Sequence, residues 1–264
     1  MCKRSITLLL LFVASLVTCH ANGQVVFQFE ASNNITTTDS NLVWKSIART
    51  GGTNPPQLVA EATEWQAVTE NGVANVVNIV GAGAGPLRFA PGTPTNTVVR
   101  HIMAVVQCPS NLRGRSTLFC GEELFRTAGR PWNNPEHNEK ARMDTGRFCG
   151  VSWRIDGVAD APLVAGKTHL VEVEFSREVT LHTLGVGSDT GREEWLRAWG
   201  GSFFELVGFS ETPSSDAQAA VVHYLNLKWR LGLKTGPVST DAIQSARALG
   251  AHLGPYFGTL LIVR

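Results

Sequence analysis

Two carboxylates on one predicted strand are the first residues whose spacing could support chemistry. Glu172 and Glu174 alternate with valine, so in an extended chain both side chains lie on the same face of a sheet. Glycoside hydrolysis uses such a pair, one group as acid and the other as nucleophile or base. Charged residues in strands more often mark the solvated side of a sheet. We therefore expect an exposed acidic strand face here, and a glycoside-cleaving enzyme ranks third among the functions considered.

A glycine-rich stretch, VVNIVGAGAG at residues 76–85, raises the question of a dinucleotide loop. Such a loop needs a helix directly after its glycines, because the pyrophosphate binds at the N-terminus of that helix. Pro86 and Pro91 follow instead and exclude a helix. The valines predict a strand and the glycines a connecting loop, without nucleotide binding.

Two loops combine tryptophan with polar residues, the composition that suits saccharide recognition on a rigid scaffold. They span residues 129–147 and 188–201. The candidate ligand-binding residues are Trp132, Asn133, His137, Asp189, Arg192 and Trp195. Packing at the core edge is an equal alternative for Trp132, and it is the expectation for Trp199.

The N-terminus has the pattern of a secretory signal peptide. Lys3 and Arg4 precede an apolar run at residues 6–17, followed by small residues, so we predict a leader over residues 1–23. A lipid anchor at Cys19 is the less favoured alternative. The apolar run is too short to cross a bilayer. We expect a secreted or cell-surface protein with no membrane span.

The net charge indicates which classes of partner to exclude, and the cysteine content indicates which disulfides are possible. A formal net charge of +1 gives no basic surface for nucleic acid. In an oxidising compartment, Cys108, Cys120 and Cys149 predict one disulfide and one remaining thiol. Cys120 with Cys149 is the candidate disulfide, and a Cys108–Cys120 bridge between neighbouring strands stays open.

Short runs of alternating or β-branched residues, separated by turn residues, predict an all-β chain. The predicted strands are Val25–Glu30, Asn41–Ile47, Val73–Val80, Leu87–Phe89, Val98–Gln107, Ser116–Phe119, Gly150–Ile155, His169–Phe175, Thr180–Val186 and Phe203–Phe209. Two late helices are predicted. The first begins at Ser214 or Ser215 and docks one face on the body, and the second covers residues 239–254. A final strand is predicted at residues 256–264.

The segment FFELVGFSETPSSDAQAAVVHYLNLKWRLGL, residues 203–233, resembles the closing strand and helix of bacterial concanavalin A-like (laminin-G-like) jelly-roll domains. Weaker similarity extends back to residue 25. Arg230 stands where that family commonly has glycine, and Tyr224 and Trp229 are expected to anchor the helix on the sandwich. The resemblance implies a β-sandwich over residues 24–233, followed by a helix-strand extension over residues 234–264.

Calcium sites occur in that family, so the resemblance also implies calcium as a cofactor to consider. The oxygen ligands available for it are Asp144, Asp156, Asp160 and Asp189. Taken together, the sequence predicts an exported, non-catalytic recognition module, with a glycan as the expected ligand. The alternative is a structural or adhesion protein that binds another protein at the cell surface.

Overall fold

The computed structural model describes residues 23–48, 55–80, 84–90, 97–110, 117–121, 124–128, 140–144, 151–185 and 198–255. The main regular structure in this part of the chain is antiparallel β-sheet, with two short helices near its C-terminal end. The predicted all-β class with C-terminal helices is confirmed. Neither helix has the length and apolar character needed to cross a membrane, within the residues described.

The described residues contain sixteen strands and two helices. The strands are β1 Val25–Glu30, β2 Ile35–Thr37, β3 Asn41–Lys45, β4 Gln57–Glu61, β5 Trp65–Glu70, β6 Val73–Asn78, β7 Leu87–Phe89, β8 Val98–Gln107, β9 Thr117–Gly121, β10 Leu124–Ala128, β11 Lys140–Asp144, β12 Val151–Ile155, β13 Val158–Ala159, β14 Leu163–Val164, β15 Thr168–Leu184 and β16 Ser202–Phe209. The helices are α1 Ser215–Trp229 and α2 Thr240–Ala248.

The strands form two sheets that share one long strand. In the first sheet, β16 pairs with β1 and β6 along one edge and with β8 along the other, and β8 continues to β15 and β12. The second sheet runs in the order β14-β11-β10-β9-β15-β7-β4-β3-β2. The N-terminal part of β15 therefore pairs in the first sheet and its C-terminal part in the second. The result is a β-sandwich-like body.

Side-chain alternation gives the first sheet two buried faces. On β8, Ile102, Ala104 and Val106 belong to the apolar cluster between the sheets. Met103 and Val105 point the other way, into a second apolar cluster that the two helices cover. This second cluster accounts for the continuous apolar character of β8, because a strand buried on both faces cannot alternate with polar residues.

Helix α1 begins and ends where its sequence favours a boundary. The Ser214 hydroxyl accepts a hydrogen bond from the Ala217 amide at 3.3 Å, which confirms the predicted cap. The helix ends at Arg230, whose φ of 53° lies in the left-handed region. That conformation favours glycine, so it explains why a glycine would suit a position that here holds arginine.

Residues 234–255 pack onto the body. Helix α2 is capped by Ser239, which accepts from the Ala242 amide at 3.1 Å, and it lies against α1 in the second cluster. The Val25 amide donates to the Leu249 carbonyl at 2.7 Å. The Gln28 side-chain amide then bonds both the carbonyl and the amide of His252, at 2.9 and 2.8 Å. The chain from 249 to 252 is thereby attached to β1.

Candidate ligand-binding groove

The residues that the sequence nominated for ligand binding lie outside the described part of the chain. These are Trp132, Asn133, His137, Asp189, Arg192 and Trp195. Residues 1–22 of the predicted signal peptide (1–23), Cys149 and the predicted strand at 256–264 also lie outside the described part. Their roles stay predictions. Trp199, at the end of the second loop, is fully buried in the core between the sheets, as expected.

A groove of about 880 Å³ lies on the exposed face of the second sheet; we call it the sheet groove. Strands β3, β4, β7 and β15 form its floor, and the segment around Gly85 and Pro86 forms part of its wall. Its polar lining residues are Asn41, Glu61, Glu64, Arg88, Thr97, His182 and Thr183. None of these was singled out by sequence reasoning.

Strand register brings the polar residues of the groove together. Asn41 pairs with Glu61 across β3 and β4. Arg88 pairs with Val59 on one side and with Thr183 on the other, across β7. Residues that alternate with these, such as Leu42, Leu58 and Leu87, are fully buried in the core. The polar side chains therefore belong to the outer face of the sheet.

The groove wall is fixed by contacts to Gly85, the last glycine of the glycine-rich stretch. The Gly85 amide donates to the Glu64 carboxylate at 2.7 Å, and the Trp65 indole N–H donates to the Gly85 carbonyl at 2.8 Å. A Cβ at this position would meet Glu64 Oε2 at 2.7 Å, so a side chain could not be added without moving that carboxylate. The stretch therefore ends at the wall of the sheet groove.

The groove offers both donors and acceptors to a ligand. The Arg88 guanidinium carries five N–H donors, the Glu61 carboxylate is an acceptor, and the Asn41 amide supplies both. His182 is exposed and stands at an irregularity of β15, between the pairs that Leu181 and Thr183 make with β9. A surface of this kind suits an uncharged ligand rich in hydroxyl groups.

The expected exposed acidic face on β15 is wrong at Glu172. Glu172 and Glu174 do share a face, but it is the face beneath α1, and Glu172 is only 4% exposed. Gln218 of α1 donates to Glu172 at 2.8 Å, and the Thr212 hydroxyl donates to Glu174 at 2.8 Å. Burial raises the pKa of the Glu172 carboxyl, while Gln218 opposes that effect.

His101 lies beside this acidic pair and is nearly completely buried. It pairs in register with Glu174 on β15, and its ring meets the Phe209 ring edge-on at 6.0 Å. Neither ring nitrogen has a hydrogen-bond partner among the residues described. Desolvation lowers the pKa of His101 to about 4, with Glu174 opposing the shift and Arg154 adding to it. The ring is therefore neutral at pH 7.

A third polar group, the Lys228 cluster, is buried between the first sheet and α1. Lys228 Nζ lies 2.7 Å from Glu205 Oε2, 2.7 Å from Glu30 Oε1 and 2.8 Å from the Tyr224 hydroxyl. The Trp229 indole N–H also donates to Glu205 Oε2, at 2.8 Å. Tyr224 and Trp229 thus anchor the helix on the sheet, as predicted.

The aspartates considered for calcium are only partly described. Asp156 accepts the His169 ring N–H at 2.7 Å and the Leu170 amide at 2.9 Å, so both its oxygens have protein partners. His169 is a satisfied structural histidine, as expected. Asp160 is exposed, and the side chains of Asp144 and Asp189 lie outside the described residues. Within the described part, no three His, Cys, Asp or Glu side chains are grouped around a possible metal site.

The cysteines form no disulfide in the part of the chain that the structure describes. Cys108 is buried as a thiol, so the Cys108–Cys120 alternative is not formed. Burial raises the pKa of the Cys108 thiol to about 12, with Asp156 acting in the same direction. The candidate pair of Cys120 with Cys149 stays a prediction, because Cys149 is outside the described residues.

Fold and groove together define an all-β, sandwich-like protein with a polar surface groove. Comparisons of the chain with protein-family models, with curated proteins and with solved structures found no match.

Proposed function

We propose that this protein is an exported recognition module of the concanavalin A-like type that binds glycans in the sheet groove. The observation that carries the proposal is the groove itself, where the side chains of Asn41, Glu61, Arg88 and His182 come together on four adjacent strands. Its volume of about 880 Å³ lies within the range of roughly 300–1,000 Å³ usual for small-molecule sites.

The proposed ligand follows from the chemistry of the lining. Sugar hydroxyls donate and accept hydrogen bonds, and Asn41, Glu61 and Arg88 together supply both kinds of partner without a large excess of charge. The sandwich-like architecture and the short C-terminal helices agree with the family that residues 203–233 resemble. A signal peptide over residues 1–23 would deliver the module to the outside, where glycans are exposed.

Binding of another protein at the cell surface is the competing proposal. Two exposed apolar residues, Ile79 at 47% and Val80 at 52% exposure, are the feature that favours it, and the Ile79 amide donates to the carbonyl of the groove residue Glu64. Glycoside cleavage ranks below both. Glu172 is covered by α1 and bound to Gln218, which leaves it without access to a substrate.

A glycan array probed with residues 24–264, followed by calorimetry on any positive glycan, tests the proposal. Arg88→Ala and Glu61→Gln should each weaken binding about 10- to 100-fold, since a hydrogen bond to a charged group contributes about 1.5–3 kcal/mol. Glu70→Gln, an exposed glutamate on β5 outside the groove, is the matched control and should bind like the wild type.

The same experiment separates the alternatives. If only Trp132→Ala or Trp195→Ala abolishes binding, the site belongs to the tryptophan loops and the groove is not the site. If no glycan binds at all, glycan recognition is refuted and a protein partner becomes the leading proposal. Sugar release from a bound glycan, lost in Glu172→Gln, would establish the enzyme.

A further inference from the structure

The Lys228 cluster holds an amine between two carboxylates in a site closed to water. Glu205 is fully buried, and the side chains of Glu30 and Lys228 are 6% and 7% exposed. Glu205 Oε2 and Glu30 Oε1 are each 2.7 Å from Lys228 Nζ. Glu205 Cδ lies one C–O bond beyond its oxygen, so the nitrogen stands next to a carbonyl carbon it could attack.

We propose that Lys228 Nζ and Glu205 Cδ join in an intramolecular isopeptide bond, which the folded chain forms by itself with Glu30 as the catalytic base. The bond would link α1 covalently to β16. It would be a modification of the folded protein that needs no enzyme and no bound ligand.

The reaction is a condensation that balances without oxidant or co-reactant. A proton first passes from the Lys228 ammonium to the Glu205 carboxylate, giving an amine and a carboxylic acid. Nζ then attacks Cδ and forms the C–N bond, while Glu30 takes a proton from the nitrogen. Glu30 returns that proton to the hydroxyl on Cδ, the C–O bond breaks, and one water molecule leaves. The carboxylate of Glu30 is regenerated.

The surroundings of Glu205 favour each part of this sequence. Burial raises the pKa of the Glu205 carboxyl, with Lys228 opposing and Glu30 adding to the effect, so the neutral acid becomes accessible. The Trp229 indole N–H donates to Oε2 at 2.8 Å and the Gln28 amide donates to Oε1 at 2.7 Å. Donors fixed in this way stabilise the negative charge that develops on oxygen during attack.

The reacting groups are also held in place before the reaction. The Tyr224 hydroxyl contacts Lys228 Nζ at 2.8 Å, and Asn33 donates to Glu30 Oε1 at 2.7 Å, where Ser32 also donates. Lys228 Nζ lies 4.9 Å from the centre of the Trp229 ring. Fixed proximity of this kind replaces a bimolecular encounter by an intramolecular one, which is worth several kcal/mol of the barrier.

Intact-mass spectrometry of the purified, denatured mature chain tests the proposal. The wild type should be lighter than its sequence by one water, and digestion should give one branched peptide that contains residues 205 and 228. Lys228→Arg and Glu30→Gln should both show the full sequence mass. Lys234→Arg, which alters an exposed lysine in the segment after α1, is the matched control and should still lose water.

A further variant tests the proposal even if Lys228→Arg or Glu30→Gln does not fold. Glu205→Gln retains the shape of the site and should form the same bond by losing ammonia, so its final mass should equal that of the modified wild type. Folding of each variant is checked by near-UV circular dichroism. Wild-type protein that is folded but has its full mass would overturn the proposal, as would mass loss that persists in Lys228→Arg. Neither result bears on the proposal that the sheet groove binds glycans.

Discussion

Acidification should destabilise the protein through His101. The imidazole is 2% exposed and lies among Phe209, Glu174 and the other side chains of the first sheet's outer face. In the unfolded chain it takes up a proton near its ordinary pKa of 6.5, but in the folded protein only near about 4. The folded state therefore binds fewer protons between these values, and the free energy of unfolding falls as the pH drops from 6.5 to 4.

The size of the effect follows from the two pKa values. They differ by about 2.5 pH units, and each unit is worth about 1.4 kcal/mol, so the full loss is about 3 kcal/mol. The raised pKa of Glu172 acts in the opposite direction, because protonation of that carboxyl is easier in the folded state. The contribution of His101 to the pH dependence is therefore measured by comparing the wild type with a variant that lacks the imidazole.

Urea unfolding of the wild type and of His101→Phe, followed by tryptophan fluorescence between pH 7.5 and 4, measures the difference. Phenylalanine fills the same space against Phe209 and has no polar atoms to leave unpartnered. At pH 7 the variant should be at least as stable as the wild type, since an unsatisfied buried polar group costs about 1–3 kcal/mol. Towards pH 4 its advantage should grow by about a further 3 kcal/mol.

His182→Gln supplies the control, because His182 is an exposed histidine on the second sheet. Its unfolding should follow the pH dependence of the wild type. If His101→Phe and the wild type lose stability in parallel as the pH falls, the titration of His101 is not the cause and the reasoning from its burial is refuted.

Three further outcomes follow from particular contacts. Lys228→Met removes the amine that Glu205 and Glu30 both contact, and with it the proposed cross-link, so it should cost at least about 3–5 kcal/mol in urea unfolding, against little change in Lys234→Met. Gly208→Ala would press a methyl group against the Phe27 ring and should cost about 1–3 kcal/mol, so an unchanged melting temperature would contradict that packing. The Cys108 thiol should resist a thiol reagent at pH 8 until urea is added, as located by peptide mapping; rapid native labelling would contradict its burial.

The strongly apolar strands could be predicted from the sequence almost to the residue. The bounds of β1, β7 and β8 agree with the prediction, because β-branched and aromatic residues there end at clear turn signals. The start of α1 was equally readable, since Ser214 is a preferred capping residue.

Polar and edge strands were missed or divided. The strands absent from the prediction are β2, β4, β5, β10, β11, β13 and β14, many of them short or exposed. The two strands predicted within residues 169–186 are one, because the exposed residues Ser176–Glu178 look like a turn but lie at an irregularity inside β15. The residue pattern along a strand indicates which side chains are exposed, but it does not indicate which strands will pair with one another.

The groove could not be predicted, and the reason is physical. Asn41, Glu61, Arg88 and His182 are single polar residues on four strands, and each resembles an ordinary solvent-facing position. These residues come together only because strand pairing places Asn41 opposite Glu61 and Arg88 opposite Thr183. The error at Glu172 has a related cause, because the sequence of a helix does not reveal which strand face the helix will cover.

Pairing between β1 and β16 has a consequence for the nascent chain. Gln28 meets Glu205 across 177 residues and His252 across 224 residues. The strand VVFQFE is thus the first of the described strands to be synthesised, and its Gln28 is made 177 residues before its partner Glu205. Until then it is an unpaired, apolar, β-prone segment of the kind that aggregates. The pairing of β1 can therefore be completed only after β16 has been synthesised.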